Sequence, residues 1–209
     1  KVALTNTTKT GVELWGLDVE SATVKKYSEA KLNANIGGVI TWNTDSQSMF
    51  VKVISKNRKP LIDTNTVVPE GPTVSTNFGA KAQNRTYQDL LKNSSDEHNF
   101  EQLATSAIYK ISLNGESEKW LDDAMYRTIS LSPDGNYVMV SQIKKPFSYL
   151  VTYSRFPSQT DVFSTKGELV TNLLDTPLIE ELPKGRMSTR TGKRSYSWRA
   201  DAPATLVYV

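Results

Sequence analysis

The sequence predicts an all-β protein built from repeated antiparallel hairpins. The clearest hairpin spans residues 126–143, where apolar and polar residues alternate on both sides of a tight turn, as in two half-buried strands. Its turn, SPDG at 132–135, combines a proline that presets φ, an aspartate that bonds to its own backbone and a glycine that accepts positive φ. Degraded copies of this hairpin occur at 40–54 and 197–209.

A second kind of hairpin accompanies these copies and begins near residues 14, 108 and 161. Two hairpins per unit make a four-stranded antiparallel sheet, and radial repetition of such sheets produces a β-propeller. The sequence therefore predicts a partial β-propeller of four-stranded antiparallel blades, with two whole blades and two halves. The predicted boundaries are an outer half-blade at 12–27, a blade at 38–121 with an insertion at 57–106, a blade at 126–174 with an insertion at 144–160, and an inner half-blade at 194–209.

The first insertion is predicted to carry short helices around residues 86–104. Tyr87, Leu90 and Leu91 would share one face of a first helix. Ser94 and Glu97 have capping-box spacing at the start of a second.

Composition excludes several classes of protein. The 209 residues include no cysteine, so disulfides, thiol nucleophiles and cysteine-bound metals are excluded. A net charge of +3 is too small to indicate nucleic-acid binding, and no apolar run is long enough to cross a membrane. The sequence begins with Lys1 and stops within a predicted strand, so we expect a segment of a longer chain and leave the compartment open.

Several longer motifs carry a family resemblance. They are VVPEGPTVSTN at 67–77, RTYQDLLKN at 85–93, DEHNFEQLATS at 96–106, KPFSYL at 145–150, YSRFP at 153–157, DTPLIEELP at 175–183 and RTGKRSYSWRADAPATL at 190–206. The sequence resembles the propeller of the glutamyl endopeptidase branch of the prolyl oligopeptidase-type serine peptidases. This resemblance implies an N-terminal β-propeller that caps a C-terminal α/β-hydrolase domain, with Ser-Asp-His catalysis and cleavage after glutamate.

The catalytic residues of that family are missing from this chain. A nucleophile elbow requires G-x-S-x-G, which does not occur, and the single histidine, His98, lies in the polar context DEHN. We therefore expect no catalytic residues, no cofactor and no metal in this chain. Its expected partners are the hydrolase domain of a full-length parent and peptide substrates.

Six bases occur between residues 184 and 199 without an intervening acid: Lys184, Arg186, Arg190, Lys193, Arg194 and Arg199. A solvated face explains such a run, and nucleic-acid binding would require exposed aromatic platforms beside it. Given the glutamyl preference that the resemblance implies, Arg190 and Arg194 are candidate ligands for a substrate carboxylate. Arg155, in the second insertion, is a third candidate, and bracing of that insertion is its alternative role.

Asp45, Asp134 and Asp201 occupy equivalent turns, and Gly135 supplies the positive φ of the clearest one. Turn capping explains these aspartates better than a metal site does.

The favoured function is a non-catalytic propeller segment that gates and orients peptides for a hydrolase domain. The alternative is a propeller-type protein-interaction module without peptidase activity. Unpaired blade edges also predict a homodimer that exchanges half-blades.

Overall fold

The computed structural model describes residues 1–66, 71, 87–181 and 188–209. Within them the fold consists of strands with one α-helix and one 3-10 turn, so the all-β prediction is confirmed. The elements are β1 Val2–Thr8, β2 Gly11–Asp18, β3 Thr23–Lys26, β4 Ile40–Trp42, β5 Ser48–Ile54, α1 Ser94–Ala104, β6 Ser106–Ser112, β7 Ser117–Leu131, β8 Tyr137–Ile143, the 3-10 turn Tyr153–Arg155, β9 Ser158–Ser164, β10 Leu169–Thr176, β11 Ser197–Trp198 and β12 Leu206–Val207.

The first three strands form an antiparallel sheet in the order β1-β2-β3. Strand β1 was not predicted, although it pairs with β2 along its whole length, from Val2↔Leu17 to Thr8↔Gly11. Its sequence lacks the apolar alternation of a half-buried strand, and both Val2 and Leu4 are exposed. Main-chain pairing with β2 therefore defines β1, and this pairing leaves no signal in its own composition.

Seven strands form the main sheet, in the order β10-β9-β8-β7-β6-β5-β4. The 15-residue strand β7 changes partners along its length. Its first half pairs with β6 from Ser117 to Ala124, and its second half pairs with β8 from Met125 to Leu131. One continuous strand thus joins two antiparallel groups of strands.

The β4–β5 hairpin and the β11–β12 hairpin both contact the second half of β7. The Thr41 hydroxyl donates to the Ile129 carbonyl at 3.5 Å, and the Trp198 indole donates to the Ser130 carbonyl at 3.1 Å. The tight turns also meet, because the Asp134 amide donates to the Pro203 carbonyl at 3.0 Å. The three repeated hairpins therefore lie side by side, with their turns at one end of the sheet.

The insertions leave the sheet at the opposite end, after Ile54 and Ile143. They pack on each other through aromatic side chains. Phe100 of α1 meets Phe147 edge-on at 5.1 Å between ring centroids and Phe156 at 5.6 Å. Met125, Ile143 and Val151 belong to the same buried cluster, which fixes both insertions to the main sheet.

Only the second of the two predicted helices forms in the described part of the insertion. Residues 87–91 are not helical, and Asp89 has φ of +56°, which no right-handed helix accommodates. Tyr87 and Leu91 pack instead against the aromatic cluster. The N-cap of α1 is Asn93, one residue before the predicted Ser94, and its side chain accepts the Asp96 amide at 2.9 Å.

Lys52 of β5 is a buried cation, 2% exposed, between the main sheet and the loop that precedes β4. Its ammonium group donates to the Ile36 carbonyl and, at 3.4 Å, to the Tyr126 carbonyl. None of the described carboxylates forms an ion pair with it. Burial lowers the pKa of Lys52 to about 8, because the charged form loses hydration that the carbonyl dipoles replace only in part.

We predict that this lysine makes stability depend on pH. Between its folded pKa of about 8 and its ordinary value of 10.5, the unfolded chain binds the proton that the folded chain has released. The free energy of unfolding should therefore rise as pH increases through this window, by up to about 3 kcal/mol. Urea unfolding measured from about pH 7.5 to about pH 10, below the ordinary lysine pKa, tests this increase in the free energy of unfolding. The Lys52→Met variant should lack it, and parallel curves for the two proteins would contradict the prediction.

Gly135 in the SPDG turn has φ of +72° and packs against the β4–β5 turn. A Cβ atom at this position would overlap the Thr44 hydroxyl, whereas a Cβ at Gly115, with φ of +104°, would meet no neighbour within 4 Å. A substitution at Gly115 therefore adds backbone strain alone, whereas a substitution at Gly135 adds both backbone strain and steric overlap.

We predict that Gly135→Ala reduces the free energy of unfolding by at least about 1 kcal/mol more than Gly115→Ala does. The reason is that only the first substitution adds an overlap with Thr44 to the strained φ. Adding Thr44→Ala to Gly135→Ala should restore part of the loss. Equal losses at the two glycines would show that the contact between the turns contributes nothing.

Candidate functional site

A cleft of about 370 Å³ lies between one face of the main sheet and the chain at 190–196. The sheet contributes short hydroxyl side chains to its floor, among them Thr128, Ser141 and Thr160, which are cross-strand neighbours on β7, β8 and β9. Because these side chains are short, they leave space beneath the overlying segment. Ser154 and Phe156 of the second insertion line the cleft as well.

Three arginines line this cleft: Arg127, Arg190 and Arg194. We refer to it as the arginine cleft. Arg194 is held by two backbone hydrogen bonds with Val209, of 2.9 and 2.8 Å, and its Nη1 donates to the Arg190 carbonyl at 3.1 Å. The structure thus brings together two of the three arginines that the sequence singled out and adds Arg127.

The charge of the arginine cleft is not compensated by the described residues. None of those that line it is acidic, and none of the described carboxylates forms an ion pair with Arg127, Arg190 or Arg194. Guanidinium groups bind carboxylates through two parallel hydrogen bonds, and hydroxyl groups donate further bonds to the same oxygens. The arrangement is therefore suited to an anionic ligand.

Arg155, the third arginine from the sequence, does not line the arginine cleft. Its guanidinium lies 5.2 Å from the centre of the Tyr87 ring, and its carbonyl accepts the Ile179 amide at 3.0 Å. Arg155 Nη1 and the Tyr87 hydroxyl are buried without a hydrogen-bond partner in the described part of the chain. These contacts correspond to the bracing alternative, since they join the second insertion to residues 87 and 179.

The sequence analysis did not single out Arg127, because this residue lies inside a strand, away from the run of bases at 184–199. The repeat itself contains a signal for it. Arg127 precedes Asp134 by seven residues, and Arg194 precedes Asp201 by seven residues. The equivalent position before Asp45 is Gly38. Equivalent repeat positions thus carry two of the three arginines.

The turn aspartates differ in their partners. Asp45 accepts the amides of Gln47 and Ser48 at 2.7 and 3.0 Å, and Asp134 accepts the Asn136 amide at 3.1 Å. The Ser132 hydroxyl, at 2.6 Å, is the main cause that lowers the pKa of Asp134.

Asp201 departs from the expected pattern of capping by its side chain. Its carboxylate pairs with the Arg199 guanidinium, which lowers its pKa. No group of three acidic or histidine side chains in the described ranges is arranged to hold a metal ion.

The remaining basic residues do not join the arginine cleft. Lys193 lies over the Tyr208 ring at 4.8 Å, Arg199 pairs with Asp201, and Lys184 and Arg186 lie outside the described residues. His98 contacts the Pro60 carbonyl at 3.0 Å and helps to hold the chain at 59–62 along α1. Among the described helices, none has the length and apolar character needed to cross a membrane.

The comparisons with known proteins identify relatives of nearly the whole chain. It is 36% identical over 202 residues to a probable glutamyl endopeptidase, chloroplastic, of Oryza sativa subsp. japonica, covering 95% of this chain and 21% of that protein. It is 35% identical over 202 residues to the Arabidopsis thaliana protein of the same description, covering 92% and 20%. The chain thus spans about a fifth of the length of these curated relatives. No protein-family model matches it.

Solved structures show a weaker likeness. An acylaminoacyl peptidase of Pyrococcus horikoshii, in its orthorhombic crystal form, has a TM-score of 0.45 at 14% identity and covers 83% of this chain and 23% of its own. An acylaminoacyl peptidase in complex with Z-Gly-Gly-Phe-chloromethyl ketone has a TM-score of 0.44 at 11% identity and covers 84% and 22%.

Proposed function

From its homology to one segment of proteins described as probable glutamyl endopeptidases, we propose that this chain is the non-catalytic propeller part of a serine peptidase. The homology confirms the resemblance found in its motifs. In this role it gates and orients peptide substrates for a C-terminal α/β-hydrolase domain of the longer protein. A ring above an active site admits an extended peptide and excludes a folded protein.

The proposed blades follow the strand order. Strands β4, β5 and β6 with the first half of β7 form one blade of four strands, and the second half of β7 with β8, β9 and β10 forms the next. In this division β2 and β3 belong to the half-blade at 12–27, and β11 and β12 to the half-blade at 194–209. The side-by-side contacts of Thr41 and Trp198 with β7 support it, because innermost strands are neighbours around a propeller axis.

The observation that carries the proposed role is the uncompensated charge of the arginine cleft. The cleft lies towards the end of the sheet from which both insertions leave, since Ser154 and Phe156 contribute to it. A peptide with an acidic side chain would place its carboxylate among Arg190, Arg194 and the hydroxyl groups of the floor. The glutamyl preference in the relatives' description is consistent with such a ligand.

We predict that residues 1–209 alone do not hydrolyse glutamate-containing peptides but bind them through the arginine cleft. Arg190→Ala and Arg194→Ala should each weaken binding of such a peptide about tenfold, because each removes a charge-assisted hydrogen bond. Calorimetry with the peptide and its glutamine counterpart measures the effect. Lys166→Ala, at an exposed turn away from the cleft, is the control for charge.

Two results would contradict the proposed function. One is hydrolysis that copurifies with the pure chain and is abolished by a serine-hydrolase inhibitor. The other is binding that does not distinguish glutamate from glutamine.

A protein-interaction module without peptidase activity is the second candidate, and the edge strand β10 favours it. Leu169 and Val170 on this edge are exposed by 60% and 51%, and an unpaired edge readily recruits another strand. The occupant would be a second copy of the chain paired along β10, an interface distinct from the exchange of half-blades that the sequence analysis predicts.

We predict that Leu169→Lys with Val170→Lys shifts such a dimer to monomer, because charges oppose edge-to-edge pairing. Sedimentation velocity at micromolar concentration measures this change. A wild-type chain that sediments as a monomer at every concentration would remove the homodimer proposal.

A further inference from the structure

A second cavity adjoins the arginine cleft and shares two of its lining residues. This cavity, of about 220 Å³, is bounded by Arg127 and Thr128 together with the loop at 36–38, Thr41 and Tyr153. Arg127 therefore stands between two spaces, one shared with Arg190 and Arg194 and one bounded by the loop before β4.

Two consecutive glycines bound the second cavity: the loop packs directly against the Arg127 backbone at Gly37 and leaves open space at Gly38. Gly37 has φ of +60°, and a Cβ there would overlap the Arg127 carbonyl. A Cβ at Gly38 would meet nothing within 4 Å, so this side of the cavity is unfilled. A ligand group larger than the first carboxylate therefore has room to extend from the arginine cleft toward the loop.

The backbone of Arg127 is fixed more firmly than that of Arg190. Arg127 belongs to β7 and directly follows Met125 and Tyr126, both buried, and the Tyr126 carbonyl accepts the Lys52 ammonium group. Arg190 lies in the exposed chain outside the described strands. A guanidinium on a rigid strand loses less freedom on binding and is better suited to fix the register of a ligand.

We propose that the arginine cleft recognises a peptide with two neighbouring carboxylates, and that Arg127 is the specificity-determining residue for the second of them. This inference rests on the proposed function and extends it from a single glutamate to an acidic pair. Arg190 and Arg194 hold the first carboxylate, and Arg127 holds the second where the two cavities meet.

Charge is the main argument for a pair. Three guanidinium groups line the cleft and none of the described lining residues is acidic, so one carboxylate leaves two of the positive charges unmatched. A second carboxylate reduces this excess, and a bidentate pair with Arg127 adds directional bonds. A polynucleotide would also supply anions, and Tyr153 beside Arg127 and Tyr196 in the cleft are aromatic side chains on which bases stack, so the test includes an oligonucleotide. The small net charge of +3 favours the peptide.

The test is a double-mutant cycle between Arg127 and the second carboxylate. The probes are three N-acetylated and C-amidated peptides that differ only in a central Glu-Glu, Glu-Gln or Gln-Gln. Calorimetry with residues 1–209 should show that Glu-Glu binds about tenfold more tightly than Glu-Gln, as expected for one charge-assisted contact. In Arg127→Gln this tenfold advantage should vanish, while the preference for Glu-Gln over Gln-Gln remains. Lys166→Gln, which removes a charge at the far turn, should keep both preferences.

The outcomes separate this inference from the proposed function. If wild-type and Arg127→Gln proteins prefer Glu-Glu by the same factor, the role of Arg127 is wrong while the proposed function stands. If Glu-Glu and Glu-Gln bind wild-type protein equally, the inference of an acidic pair is wrong. If all three peptides bind equally or not at all, both are wrong. Tighter binding of a mixed single-stranded oligonucleotide than of the Glu-Glu peptide would also overturn the inference of an acidic pair.

Circular dichroism checks that Arg127→Gln remains folded. Arg127→Lys should retain part of the advantage of Glu-Glu over Glu-Gln, because it keeps the charge without the bidentate geometry.

Discussion

The continuity of β7 is the constraint on which the rest of this structure depends. A single strand pairs with β6 along its first half and with β8 along its second, so neither group of strands can shift in register without disturbing the other. Buried side chains cross this division, because Trp120 and Tyr126 lie in different halves of the strand but belong to the same cluster. The Lys52 ammonium group adds a further connection, because it links β5, the loop before β4 and the Tyr126 carbonyl of β7.

The repeat pattern explains why most of the fold was predictable. The local sequence predicts a hairpin whose turn contains proline, aspartate and glycine, and Gly135 has the positive φ that this turn requires. Strand β1 was not predictable in this way, because an exposed strand without apolar alternation is defined by its partner alone. The helix predicted at 87–91 does not form for a similar reason. The apolar side chains there have helical spacing, but they pack against Phe100 and its neighbours. Tertiary packing overrides local pattern at this point.

The candidate site was only partly predictable for a related reason. Arg190 and Arg194 stand out because they belong to a run of bases, whereas Arg127 is a single charge between strand residues. Its proximity to the other two depends on how the chain at 190–196 folds back over the main sheet, which is a long-range property. For Arg155 the sequence left two roles open, substrate binding and bracing of the second insertion, and the structure places its guanidinium beside the Tyr87 ring.

The packing of the two insertions constrains how the sequence of this protein can vary in evolution. Phe100 in the first insertion meets Phe147 and Phe156 in the second at edge-on angles, and Lys145 pairs with Glu101 at 2.8 Å beside them. Loss of one of these aromatic side chains from either insertion would leave a void against the other. We therefore expect the two insertions to vary together among relatives, as one inherited unit, while each tight turn at the opposite end of the sheet is free to vary alone wherever it lacks a contact such as that between Gly135 and Thr44.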